Sequence, residues 1–235
     1  MKRLVVLLVV TLFMGSCGAQ GQQVGEMQRQ AESVDLENAQ SVVVHLRMGA
    51  GELNLTGGAD ALMEADFAYN VADWEPVVSY DVSGETGELT VEQGSDEGVR
   101  LGADARNEWD LRFNDEVPTE LSVEMGAGES DLDLDSLTLT GLDLEMGAGA
   151  TTVDLTGDYG QDLDASIQGG VGEATVQLPS GVGVRVRAEG GLGKINAEGL
   201  QREGDSYVND AYGDSDVTLD VDVQGGVGAI NLEVV

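Results

Sequence analysis

Catalytic chemistry has few places to start in this chain. There is one cysteine, Cys17, and one histidine, His45, among 235 residues. A cysteine dyad needs a free thiol beside an imidazole, and a zinc site needs several such ligands together, so this pair can build neither. His45 lies in the run Ser41 to Met48, where it is read as structural. Carboxylates are abundant, 44 against 11 Lys and Arg, and two of them suffice for glycoside hydrolysis. Here they are spread over the polar positions of nearly every segment, the pattern of a solvated face. No catalytic, cofactor-binding or metal-binding residue is assigned, and no cofactor is expected.

Cys17 carries a different chemistry. Lys2 and Arg3 precede the apolar run Leu4 to Met14, followed by Gly15, Ser16 and Cys17. That order is a secretory signal. Its apolar run is about half of the roughly 20 residues that a spanning helix needs. Met14-Gly15-Ser16-Cys17 resembles the bacterial lipobox, with Met14 in place of the preferred Leu. The resemblance implies that residues 1–16 are a signal peptide and that acyl chains on Cys17 anchor the chain in the cell envelope, since several chains bind a membrane far more firmly than one. Gly18 follows, where Asp is the usual inner-membrane retention signal, so in a double-membrane organism the outer membrane is expected. Residues 17–34, polar and rich in Gln and Gly, read as the lipidated cysteine and a flexible tether.

About 200 residues remain, enough to bury a core. Glycine stands at 34 and proline at 3, with 41% apolar residues, a composition that must fold with many turns. Net charge is -33, and loss of Lys2 and Arg3 would take it to about -35. Nucleic acid is excluded as a partner.

A repeat organises this part. Met48-Gly49-Ala50-Gly51, Met125-Gly126-Ala127-Gly128 and Met146-Gly147-Ala148-Gly149 share one pattern with Gly169-Gly170-Val171-Gly172, Gly190-Gly191-Leu192-Gly193 and Gly225-Gly226-Val227-Gly228. A weaker copy is expected at Ser83 to Leu89. The closest copies recur every 21 to 23 residues, the length of one solenoid rung. Apolar and polar residues alternate on either side of each tetrad, as in Val217, Leu219, Val221 and Val223, which means strands with one buried face. Tight corners repeated at one edge need the positive φ and close backbone approach that glycine allows. An all-β fold follows, a β-solenoid with Gly-x-Gly corners, with a sandwich of hairpins as the alternative. Residues 35–125 would form its first rungs with insertions and residues 126–235 its regular rungs. The calcium-binding nonapeptide of secreted toxins does not fit, because Ala174, Ile195 and Ile230 stand where it requires Asp.

The stretch Gly49-Ala50-Gly51-Glu52-Leu53-Asn54-Leu55, and more specifically Asn107-Glu108-Trp109-Asp110-Leu111, Val117-Pro118 and Gly126-Ala127-Gly128-Glu129-Ser130-Asp131-Leu132, resembles the toast-rack domain. That domain is similar to the C-terminal domain of the Lia-type membrane proteins of envelope stress response and to adhesin-type β-helical domains. The resemblance implies a β-helical fold in a cell-envelope protein and brings no catalytic residues.

Three surface expectations remain. Stacked strands would place Asp133, Asp143, Asp154 and Asp164 in like-charge ladders, screened by salt or bridged by divalent cations. Trp74 and Trp109 fill a local core, or else present a stacking platform for glycan or protein. Arg185 and Arg187 point outward to pair with acids on adjacent rungs. The expected function is a non-enzymatic, lipid-anchored surface or periplasmic interaction module, linked to envelope stress or adhesion, with an envelope protein or glycan as partner. The alternative is a β-solenoid that binds or cleaves polysaccharide through Asp/Glu pairs.

Overall fold

The structure is a computed structural model that describes residues 24–94 and 104–235. Cys17 and the signal peptide lie outside the described residues. In chain order the strands are β1 (Gln28–Val34), β2 (Ser41–Thr56), β3 (Met63–Tyr69), β4 (Val77–Ser83), β5 (Thr86–Glu92), β6 (Asn107–Phe113) and β7 (Thr119–Asp133). Then come β8 (Leu139–Asp154), β9 (Leu163–Leu178), β10 (Gly183–Glu198), β11 (Gln201–Glu203), β12 (Ser206–Val208) and β13 (Thr218–Val234). Among the described residues the one helical element is a 3-10 turn at Ala72–Trp74.

Six strands, β2, β7, β8, β9, β13 and β10, are 15 to 17 residues long and lie side by side in that spatial order, all parallel and in register. Each has its Gly-x-Gly at the middle. The buried set changes parity there: Val42, Val44, Leu46 and Met48 are buried before the corner of β2, and Leu53 and Leu55 after it. The same switch separates Leu219, Val221 and Val223 from Ile230 and Leu232 in β13. The corner thus re-phases a period-two strand so that both halves turn their apolar face to one continuous core.

The halves extend differently. Beyond β2, the first half pairs with β5 and then β4, and the second half pairs with β6, then β3, then β1. Beyond β10, only the first half continues, through the short antiparallel strands β12 and β11. All these strands form one large mixed sheet.

The glycines stack as directly as the strands. A Cβ on Gly172 would sit 1.6 Å from the Gly149 carbonyl oxygen, one on Gly149 would sit 1.7 Å from that of Gly128, and one on Gly228 would sit 1.6 Å from that of Gly172. With φ near +140° as well, these positions admit no other residue without strain.

Two expectations need correction. Gln28–Val34 is a strand paired with β3, and Gly25 N–H already donates to Asn70 C=O at 2.7 Å, so the tether cannot extend to residue 34. Its polarity misled because β1 is an edge strand with only Gln30, Glu32 and Val34 half-buried, along with Gln28's neighbour positions exposed. Ser83 to Leu89 is not a corner: Gly84, at φ 69°, makes the tight turn joining β4 to β5. Residues 35–125 and 126–235 share one core, and the division at 125/126 falls at the glycine corner inside β7. In addition, β13 lies between β9 and β10, so the last long strand does not stack in chain order. Spacing could not reveal this, because any Gly-x-Gly corner matches any other in register.

Candidate functional site

The inside of the corner changes along the stack. The first residue of the tetrad is Met on β2, β7 and β8 (Met48, Met125, Met146) and Gly on β9, β13 and β10 (Gly169, Gly225, Gly190), all in register. The residue five positions later faces it across the corner. Thr151 Oγ1 donates to Met146 Sδ at 2.9 Å, and Ser130 Oγ is 3.0 Å from Thr151 Oγ1. On β13 and β10 an isoleucine fills the space instead: Ile230 Cδ1 lies 3.2 Å from where a Cβ on Gly225 would be, and Ile195 Cγ1 3.8 Å from the same point on Gly190. β9 is small on both sides, Gly169 and Ala174. A cavity of about 210 Å³ opens there, lined by Leu144, Met146, Ile167, Ile195 and Ile230. An apolar cavity of roughly 150 Å³ already suffices to hold benzene.

The outside of the corner changes at the same strands. The residue between the two glycines is Ala50, Ala127 and Ala148 on the first three strands, then Val171, Val227 and Leu192. These last three are in-register neighbours and exposed, Leu192 at 72%. They form an apolar ridge over the cavity.

β10 ends the stack. Its first half pairs with β12 at Arg185, Val186 and Arg187, whereas among the described residues Leu192 to Glu198 pair only with β13. Ile230 and Leu232 of β13 are buried, but their β10 neighbours Ile195 and Ala197 are only half-buried. The second half of β10 is an open sheet edge over an incompletely covered core.

Charges sort by layer. Arg185 pairs with Asp220, and Arg187 Nη1 lies 3.0 Å from Asp222 Oδ1, so both arginines reach acids on the adjacent strand as expected. The four proposed ladder acids do not align. Asp133 and Asp154 are neighbours in the second halves of β7 and β8, whereas Asp143 stands between Ser122 and Ser166 and Asp164 beside Asp220 in the first halves. The corner itself separates them, since Asp133 and Asp154 follow their glycine tetrads and Asp143 and Asp164 precede theirs. Burial, then Asp133 and Asp154, push the Asp135 carboxyl above its usual value. Burial, then Asp154 and Asp135, push up the hydroxyl of Tyr159, whose oxygen is buried without a hydrogen-bond partner. Among the described residues no three His, Cys, Asp or Glu are placed to hold a metal ion.

Neither tryptophan is a platform. Trp109 and Trp74 are 0% and 3% exposed, and Trp109 packs edge-on to Phe67 with ring centroids 5.4 Å apart. Trp109 serves the local core where β3 and β6 extend the second-half layer, whereas Trp74 is buried in the 3-10 turn with its indole N–H unpartnered among the described residues. His45 is half-buried in β2 between Thr90 of β5 and Ser122 of β7, and Asp143 of β8 stands beyond Ser122 in the same register row, not beside the imidazole.

Sequence reading missed Asn107. Its Nδ2 donates to Ala50 C=O at 3.0 Å and to Gln93 Oε1 at 2.9 Å, and its Oδ1 accepts from Trp109 Nε1 at 3.0 Å. Gln93 Oε1 also accepts from Gly49 N–H at 2.9 Å. The β2 corner has no Gly-x-Gly neighbour on this side, and Asn107 and Gln93 supply the polar partners that such a strand would give the other corners. The sequence signal was Asn-x-Trp beside a repeat that begins abruptly.

These features define an all-β protein of parallel strands bent at stacked glycine corners. The chain belongs to the Toast_rack_N family: the family model, the N-terminal domain of toast_rack (DUF2154), matches residues 23–177. Among solved structures, a protein of Clostridium sporogenes described as a candidate cell adhesion protein is 35% identical, with a TM-score of 0.88 over 89% of this chain and 100% of that one. A candidate adhesin of Bacteroides fragilis is 11% identical, with a TM-score of 0.34 over 88% of this chain and 97% of that one. Comparison with curated proteins finds no significant match.

Proposed function

We propose that this chain is a non-enzymatic adhesion module of the cell envelope, anchored through Cys17 and making contact through the far end of its stack. The six bent strands act as rungs of a β-solenoid, a rigid spacer whose corners and edges are its working surfaces. One observation carries the reading. β1, which follows Cys17 in the chain, and the open edge of β10 are the two ends of the same nine-strand layer. At the usual strand spacing they stand roughly 40 Å apart. An anchor at one end holds the exposed Val171, Val227 and Leu192 ridge and the open edge away from the membrane. Similarity to the Clostridium sporogenes protein, described as a candidate cell adhesion protein, supports the same reading.

The test compares cells carrying the native chain with cells carrying Cys17→Ser. The native protein should pellet with membranes and increase attachment to a cell or matrix layer, and Cys17→Ser should appear in the soluble fraction and lose that attachment. Equal attachment by both, or continued membrane pelleting of the variant, would sink the proposal.

A further inference from the structure

The open edge of β10 carries a self-complementary pattern. Lys194 is the only lysine after Lys2. Its side chain makes no ion pair among the described residues, although it points outward beside Ala229. Four residues later Glu198 stands in register with Glu233, a like-charge pair that neither residue escapes through an ion pair of its own. Like charges placed directly opposite on neighbouring strands are destabilising. Halfway between them is Asn196. Its Nδ2 donates to Asn231 Oδ1 at 2.7 Å, and Asn231 Nδ2 donates in turn to Glu173 Oε1 at 2.6 Å, so a row of polar side chains runs out to the edge and stops there.

We propose that a second copy of this chain pairs with this edge, β10 against β10 and antiparallel, about a two-fold axis through Asn196. This inference rests on the reading of the far end as the contact end and names its partner. In that register Lys194 of each copy opposes Glu198 of the other, Ile195 opposes Ala197, and Asn196 opposes its own counterpart. Both unpaired charges are satisfied twice, and the polar row continues across the axis. The half-buried Ile195 and Ala197 gain the neighbour that Ile230 and Leu232 already have in β13. Edge pairing supplies main-chain hydrogen bonds to groups that are otherwise open.

The register is selective. Glu198 is the only acid on the open segment, because Glu189 lies across the corner in the other layer. A two-fold axis through Lys194 would set two ammonium groups against each other, and an axis through Ile195 would set Lys194 against Asn196. Only the axis through Asn196 pairs opposite charges. The β11–β12 hairpin covers the first half of β10 and confines pairing to the second half. With each copy contributing its nine-strand layer, the two β1 ends stand roughly 80 Å apart and face opposite ways, as a bridge between two cells requires.

Sedimentation of the mature chain at rising concentration tests this, with Lys194→Glu, Glu198→Lys and an equimolar mixture of the two variants. The native chain should show a monomer–dimer equilibrium. Each variant alone should need at least about tenfold higher concentration to dimerise, since two like-charge pairs replace two opposite ones. The mixture should recover dimerisation, because each copy then offers charges opposite to its partner's. A chain that stays monomeric, a dimer that both variants leave unchanged, or a mixture that stays apart would overturn the proposal. Attachment assays on the same variants separate this from the broader reading: cells that still attach to surfaces lacking the protein, while the purified chain stays monomeric, overturn the homotypic pairing and leave the adhesion reading standing.

Discussion

The Thr151 hydroxyl donates to the Met146 sulfur at 2.9 Å across the corner of β8, closing a space that reopens one strand further along. On β9 the equivalent residues are Gly169 and Ala174, and the cavity of about 210 Å³ lies there. Strands on either side show two ways of filling it, a methionine before the corner or an isoleucine after it.

Ala174→Ile should therefore stabilise the fold. Filling an apolar void at a position whose β13 and β10 equivalents already carry isoleucine is worth about 1 kcal/mol. That corresponds to roughly 2–4 °C in melting temperature for a domain of this size. A thermal melt showing no rise would mean that the surrounding side chains already collapse into the space in solution.

Gly172→Ala should be severely destabilising. The added Cβ would meet the Gly149 carbonyl oxygen at 1.6 Å, on a residue at φ 146°. Strain and overpacking together should cost about 2–5 kcal/mol in denaturant unfolding. Gly160→Ala, where nothing lies within 4 Å, should stay within about 0.5 kcal/mol of the native chain. Similar losses at both positions would argue against a stacked glycine corner.

Asn107→Leu removes three hydrogen bonds around a residue that is 2% exposed. It leaves the Trp109 indole N–H and the Ala50 carbonyl without partners. A loss of about 2–4 kcal/mol is expected from the stranded buried groups. Urea unfolding followed by tryptophan fluorescence measures it directly; a near-neutral result would show that water reaches the β2 corner.

Asp135→Asn should raise stability at neutral pH. Burial, Asp133 and Asp154 hold the Asp135 carboxyl above its usual value, so the folded state binds its proton more readily than the unfolded chain does. The stability this contributes is present at low pH and is lost as pH rises through the folded-state value. Asparagine removes the charge, and the gain should be roughly a few tenths of a kcal/mol because the group is exposed. The difference should shrink as pH falls into the carboxylate range. Melts of both proteins across that range test the direction, and an advantage that grows on acidification would contradict it.

Much of this molecule is legible in its sequence because its information is local and periodic. Alternation around Val221 and Val223 specifies strands whatever their neighbours, and a glycine pair at a fixed place in each strand specifies a corner. The outward direction of Arg185 and Arg187 follows from the same period-two rule.

Other features were set only by which strands lie side by side. The repeat cannot rank its own copies, so it could not place β13 between β9 and β10, and with it the pairing of Arg185 with Asp220. Nor could it show that Asp164 stands beside Asp220 of the last long strand, since that depends on the same adjacency. Asn107 sits far from Ala50 in the chain and gains its role only where β6 meets the first corner. The open edge at Lys194 to Glu198 exists because β12 covers one half of β10 and, among the described residues, no strand covers the other. Strand adjacency is decided by the summed packing and pairing of whole faces, and no single segment contains that information.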